Sequence, residues 1–441
     1  MANPIATVKV TSALLALILL LLLPNPLVAA LSCTDPWGCG TLADPSPPVK
    51  AWTESIAYHD QHLIYAGSDN SIYAFNLAGG KSSLVCDLAD DPGFIYGPTG
   101  FMVSADGYLY FHDNGNTTRI YRLLLSEPWP AHYESFDTQC NSAIFAFAQN
   151  PWTDGIWFAS ADFYGGGDNM YLYRVDGFGS VTQKASLTKR PFGGNGPIIF
   201  QGENALLYGE SVWGGDGYFH LVDSTTGTVS EADYLTFTGG LAAATYGYNG
   251  AIYVTSGDGR GIYEIKGSET KLLVTAEHAA QGMVFDGTSL FVSERKVNED
   301  YTTTVRFNAL WPREASPGGN LSGMVNTATE ILGYKAGIQG ATVTLSRDTS
   351  IAASATTNRD GNYAFTEVPV GIYTLKVEAV GFKSVSLGNG VYIGSGDHPN
   401  LVISLEQQRF PGDVNGDKQV GLEDAIYILQ VLAGIRGSEE P

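Results

Sequence analysis

The sequence has little positive charge: 24 lysines and arginines stand against 45 aspartates and glutamates, a formal net charge of −21. That scarcity argues against a nucleic-acid partner, whose phosphates require a basic face. It suits a soluble extracellular protein and bound divalent cations, although solubility alone also accounts for it. Catalytic signatures are missing as well. There is no Gly-x-Ser-x-Gly elbow, no His-Glu-x-x-His pair and no phosphate loop. Cysteines number four, Cys33, Cys39, Cys86 and Cys140, and no histidine lies at metal-ligand spacing from them. Long apolar runs are confined to the N-terminus, in Ala13–Leu23. Lys9 precedes that run, and Pro24, Pro26 and Val28-Ala29-Ala30 follow it, so residues 1–30 read as a secretory signal. The run is shorter than the ~20 residues of a spanning helix. A mature chain with no membrane span is therefore expected, secreted to the extracellular side or a periplasm.

What is abundant is a repeat. Six segments share an apolar-aromatic core: HLIYAG (62–67), YLYFHD (108–113), GIWFAS (155–160), ALLYGE (205–210), AIYVTS (251–256) and SLFVSE (289–294). Aligning Leu63, Leu109, Ile156, Leu206, Ile252 and Leu290 gives intervals of 46, 47, 50, 46 and 38. A Gly/Asp/Asn turn and a second alternating run follow each segment, as in SIYAFNL (71–77) and GIYEI (261–265). Such runs and turns predict antiparallel hairpins. A period near 45 residues with about four strands per unit predicts a β-propeller, here with six blades over 48–310. The sixth unit lacks an outer strand, and Val49–Glu54 is the segment expected to supply it and close the ring. Export permits disulfides. The favoured pairing is Cys33–Cys39 in the 31–47 lead-in, with Cys86–Cys140 stapling the outer strands of neighbouring blades.

Loops between second and third strands share a propeller face with the loops that join blades. Tyr96, Phe163, Tyr164, Phe192, Trp213 and Asp216 fall there and are the candidate ligand-binding residues, with Phe94 and His278 nearby. Aromatic faces beside carboxylates suit polyhydroxylated ligands, because sugar C–H faces lie on rings while hydroxyls take polar groups. Turn chemistry explains the Asp and Asn residues equally well. Glu210, Glu294 and Arg295 end second strands near the same face, where a carboxylate pair would be needed for glycosidic acid–base chemistry. A charge at a strand end is the plainer reading, and no catalytic set is assigned.

The stretch ALWPREASPGG (309–319) breaks the pattern, so 311–319 reads as a linker. Residues 320–407 alternate as a small β-sandwich with turns every 8–12 residues. Gly323 and Val325, Gly340–Leu345, Thr357–Tyr363, Pro369–Tyr373 and Gly381-Phe382 follow one another in an order that resembles the carboxypeptidase regulatory-like family. The resemblance implies a transthyretin-like or carbohydrate-binding-like accessory module without catalytic residues.

Residues 408–441 begin with GDVNGDKQVGLEDAIYILQVLAGI (412–435). Asp413, Asn415, Asp417, the Gln419 carbonyl and Asp424 fall at the alternate positions of a calcium loop, and a helix with Ala425, Ile428, Leu429 and Leu432 on one stripe follows. The stretch resembles half of a dockerin, which implies bound Ca2+ and a cohesin-like partner. It departs from that family at Lys418, where a glycine makes the turn, at Leu422-Glu423, where small hydroxyl residues read the partner, and in having a single loop.

The fold class expected is therefore mainly β: a six-bladed propeller, a small sandwich and a C-terminal calcium-loop helix. The expected function is polysaccharide-associated, non-catalytic binding. A glycoside hydrolase or lyase, or a protein-interaction scaffold, is the alternative.

Overall fold

The computed structural model describes residues 32–33 and 37–432, apart from 52, 54, 116–117, 141, 162–168, 192, 213, 248–250, 257–260, 277, 299–302, 313–317, 330–334, 348–349 and 409–420. Each sequence repeat forms one antiparallel sheet. The first holds β3 (Ala57–His59), β4 (His62–Ala66), β5 (Ile72–Asn76) and β6 (Ser82–Cys86). The second holds β7 (Pro98–Val103), β8 (Tyr108–Asp113), β9 (Arg119–Leu124) and β10 (Tyr133–Asp137). The third holds β11 (Ala143–Gln149), β12 (Ile156–Ala161), β13 (Asn169–Gly177) and β14 (Ser180–Thr188). The fourth holds β15 (Gly193–Gly202), β16 (Ala205–Val212), β17 (Gly217–Asp223) and β18 (Val229–Phe237). The fifth holds β19 (Leu241–Tyr246), β20 (Ile252–Ser256), β21 (Gly261–Lys266) and β22 (Glu269–Thr275). The sixth holds β23 (Ala279–Phe285), β24 (Leu290–Val297) and β25 (Thr303–Pro312).

The innermost strands touch in turn, β3 to β7, β11, β15, β19, β23 and back to β3, so the sheets form a closed propeller. This geometry explains the sequence pattern. A second strand lies between the faces of two neighbouring sheets, and β12 and β20 are buried along their whole length. Such strands read as continuous apolar runs. Outer strands such as β18 and β22 meet solvent and are exposed over most of their length.

Closure is made by a different segment from the one expected. Strand β2 (Trp37–Thr41) pairs antiparallel with β25, from Trp37 opposite Pro312 to Thr41 opposite Asn308. Strand β1 (Ser32–Cys33) adds to the edge of β22. The lead-in 31–47 is therefore not simply a linker, and Val49 instead bridges Gly67 of the first repeat. The open edge of β25 accounts for this, because an unpaired edge strand is a liability that pairing removes. Trp37 anchors the strand, with its ring edge-on to Tyr253 at 5.9 Å.

The expected Cys86–Cys140 bridge is also corrected. Both cysteines are buried free thiols. Cys86 lies in the seam between the first and second sheets, among Val85, Leu88 and Phe94. Cys140 lies in the next seam, among Ile120, Ile144 and Phe158. The second sheet stands between them. Burial, with Asp87 and Asp91 nearby, pushes the Cys86 thiol up to about 12, so it carries no reactive thiolate. Cys39 is disulfide-bonded.

Strands β26 (Gly319–Thr327), β27 (Thr342–Arg347), β28 (Ser350–Thr356), β29 (Asn362–Val368), β30 (Gly371–Glu378), β31 (Val385–Ile393) and β32 (Gly396–Leu405) form the sandwich. One sheet runs β29-β26-β32 and the other β28-β27-β30-β31. Alternate residues point inward, so Val343, Leu345, Tyr363, Phe365, Leu375 and Val377 share one core.

The sandwich packs on the propeller. Tyr392 is fully buried among Phe291, Phe307 and Trp311, and meets Phe291 edge-on at 5.1 Å. Its N–H donates to the Leu77 carbonyl at 2.8 Å, and its hydroxyl donates to Ser289. His398 is buried at the same seam, where its Nε2 accepts from the Gly394 N–H at 2.9 Å. Burial lowers the pKa of His398, against the opposing pull of Gly394, Asp286 and Asp397. Burial raises that of Asp286, although Ser289 and Thr288 donate to its carboxylate. A histidine held neutral stabilises the fold above its unfolded pKa, about 6.5, and that contribution is lost as pH falls below it. The raised Asp286 has the opposite sign, in a lower window above about pH 3.9. Thermal melts from pH 7.5 to 5.5 are expected to show wild-type stability falling with pH, and a flatter profile in His398→Gln. Parallel profiles would remove His398 from the seam's pH response.

Helix α1 (Leu422–Leu432) leaves Leu422, Ile426, Ile428 and Leu429 exposed. The loop residues Asp413, Asn415, Asp417 and Gln419 lie outside the described residues, as does the side chain of Asp424. No helix among the described residues is long and apolar enough to cross a membrane.

Candidate functional site

A bulge interrupts the pairing of an inner strand with its second strand in five sheets: at Thr99/Met102, Ile144/Ala146, Asn195/Ile198, Leu241/Ala243 and Ala280/Gly282. Bulges leave residues out of the ladder and re-aim them. Gly100, Phe145, Pro197, Ala242 and Gln281 are among the residues displaced, and all line one central cavity of about 320 Å³. Ser55, Thr99 and Asn114 add side-chain polar groups to the lining, which includes no charged residue among the described ones. Some bulge amides are already held: Phe101 N–H donates to Ser55 Oγ at 2.7 Å, and Ala243 N–H to Thr255 Oγ1 at 3.0 Å.

Gly100 has to be glycine. Its φ is +68°, and a Cβ would stand 2.6 Å from the His112 imidazole. His112 is buried behind it, with Nδ1 2.8 Å from the Asp113 carbonyl oxygen. Burial lowers its pKa, against the opposing pull of the Asp113 and Phe145 carbonyls and the Asp113 carboxylate.

The second strands all end at this end of the channel. Four residues past the aligned Leu or Ile, the six repeats carry Gly67, Asp113, Ser160, Glu210, Ser256 and Glu294. The acids occupy alternate sheets, and each is turned back onto the chain entering its own sheet. Asp113 Oδ1 accepts from the Tyr96 and Gly97 N–H groups at 3.1 and 2.9 Å, and Oδ2 from Gly115 at 3.0 Å. Glu210 Oε1 accepts from Arg190 N–H at 2.5 Å, and its other oxygen pairs with the Arg190 guanidinium. Glu294 Oε1 accepts from His278 N–H at 2.7 Å, while Oε2 accepts from Arg306 Nε and Asn308 Nδ2, each at 2.8 Å. Burial would raise the pKa of Glu210, but His220 and Arg190 outweigh it and hold the carboxyl below its usual range. Arg190 also pairs with Asp233 and lies over the Tyr218 ring at 3.7 Å. These carboxylates anchor loops. The pair considered for acid–base chemistry, Glu210 and Glu294, is committed to main-chain and cationic donors instead.

Of the sequence-derived ligand residues, Phe163, Tyr164, Phe192 and Trp213 lie outside the described residues. Tyr96 is 58% exposed and sits beside Gly115 at the channel mouth. Asp216 lies in the β16–β17 turn, where its carbonyl accepts from Val212 N–H at 3.1 Å. Phe94 is core, packed on Tyr121 at 4.5 Å. The bulged lining was missed by sequence reasoning, although the aligned acids stood in one column of the repeat.

No curated protein sequence matches the chain. Among solved structures, a protein assigned as a gluconolactonase aligns over 63% of this chain and 93% of its own, at 16% identity and TM-score 0.46. The PQQ-bound aldose sugar dehydrogenase from Streptomyces coelicolor aligns over 63% and 100%, at 11% identity and TM-score 0.44. Virginiamycin B lyase from Staphylococcus aureus aligns over 74% and 97%, at 14% identity and TM-score 0.38. Likeness at this level carries no argument about activity. Residues 321–406 match the family model of the carboxypeptidase regulatory-like domain, and this identifies the sandwich as such a domain.

Proposed function

We propose that the chain is an exported binding protein whose propeller takes a polyhydroxylated ligand, the end of a polysaccharide chain, at the channel mouth. The observation that carries this reading is the lining of the central cavity, where displaced main chain joins Ser55, Thr99, Asn114 and Gln281. Hydroxyl-rich ligands exchange hydrogen bonds with such groups, and the volume falls at the small end of ligand sites, about 300–1,000 Å³. The engagement of Asp113, Glu210 and Glu294 by loops supports binding rather than hydrolysis, which needs a carboxylate free to move a proton. The sandwich acts as a spacer. Asp413, Asn415, Asp417, Gln419 and Asp424 bind Ca2+, and the C-terminal helix attaches the protein to a cohesin-like or other partner.

The test is a pull-down of the mature protein, with and without calcium, on insoluble polysaccharides, followed by calorimetry with soluble oligomers. Retention on at least one polymer is expected. Gln281→Ala should weaken oligomer binding about fivefold, one hydrogen bond's worth. Absence of retention on every polymer would leave a protein partner as the better reading.

A further inference from the structure

One sector of the mouth carries a feature that the lining alone does not explain. Gly97 has φ +96°, and a Cβ there would lie 2.7 Å from Lys50 Cδ and 3.1 Å from Asn70 Oδ1. The stem of Lys50 therefore lies across Gly97. The Gly97 carbonyl accepts from Asn114 N–H at 2.8 Å, and Asn114 lines the cavity. Lys50 main chain is fixed by its N–H to the Ala66 carbonyl at 2.9 Å and by Thr53 Oγ1 donating to its carbonyl at 3.0 Å. Among the described residues its ammonium forms no ion pair, although the chain carries 45 acidic residues.

Two carboxylates on neighbouring loops are held by other donors. Asp113 accepts three main-chain N–H groups, and Asp69 accepts from Tyr73 OH at 2.7 Å and Ser71 N–H at 3.1 Å. The buried Asn70 Oδ1 has no partner, and its Nδ2 holds the Phe94 carbonyl at 3.2 Å, which fixes the loop bearing exposed Ile95 and Tyr96. An aromatic face, a cavity amide and an unpaired ammonium thus share one rim.

We infer that this rim selects an acidic saccharide: Tyr96 stacks on a sugar ring while Lys50 pairs with its carboxylate or sulfate ester. The inference rests on the proposed polysaccharide reading. A charge-assisted hydrogen bond at a partly buried site is strong enough to set a preference of about tenfold.

The experiment is calorimetry of the full mature chain with an oligogalacturonate, its methyl ester and a sulfated galactan oligomer. The ester keeps the shape and removes the charge. Acidic oligomers are expected to bind about tenfold tighter than the ester. Lys50→Gln should erase that difference, and Lys50→Arg should keep it. Tighter binding of the galacturonate alone, or of the sulfated oligomer alone, identifies which anion the rim takes. Equal affinity for acid and ester, or an undiminished preference in Lys50→Gln, overturns the inference while the polysaccharide reading stands. Binding of none of the three, with no polymer retained, overturns both.

Discussion

Glu294→Ala is expected to destabilise the propeller by about 3–5 kcal/mol, because it removes one partner of a buried ion pair. Glu294 is 1% exposed, and its carboxylate binds Arg306, Asn308 and the His278 amide at once. Alanine leaves a guanidinium that is 13% exposed facing an empty site, and a loop amide without its acceptor. Glu294→Gln keeps an acceptor oxygen but removes the negative charge that faces Arg306, so it should also destabilise, by less. Denaturant titration reads both. A loss below about 1 kcal/mol for Glu294→Ala would show that the carboxylate is not a loop anchor, and would reopen the acid–base reading. Ligand affinity of the still-folded Glu294→Gln should equal that of wild type.

Truncating Tyr392 to alanine should cost about 3–5 kcal/mol, as for other buried aromatics. The site makes the consequence specific. Tyr392 belongs to a strand of the sandwich, yet its ring packs on Phe291 and its main chain and hydroxyl bond Leu77 and Ser289 of the propeller. Calorimetry of the wild type is expected to show one transition spanning both domains. Tyr392→Ala should split it into two, with the sandwich separating first. A variant that still melts in one slightly shifted transition would mean that the domains are coupled elsewhere, for example through Ile372 against Gly40.

The parts of the fold that could be read early share a physical reason. HLIYAG and its five counterparts are buried on both faces, so their composition is fixed by packing and recurs with the sheet. The alternation of the sandwich strands is likewise imposed by one buried and one wet face. By contrast, Trp37–Thr41 reads WGCGT, with two glycines and no alternation, and it becomes a strand because β25 offers it an edge. Cys86 and Cys140 show the same limit. Their sequence positions place both beside outer strands, but only the stacking of sheets puts them in different seams.

The candidate site divides in the same way. Tyr96 was visible as an aromatic in a blade-joining loop, and it stands exposed at the mouth. Glu210 and Glu294 were visible as strand-end acids, but a carboxylate's role depends on which donors reach it, and those come from residues 10 to 20 positions away. The sequence by itself determined the repeat, the hairpins, the sandwich and the acidic surface, because these follow from local periodicity and composition. Only the tertiary structure decided which strand closes the ring, which thiols stay free and where the bulges line the channel. Those depend on contacts between segments that no local pattern encodes.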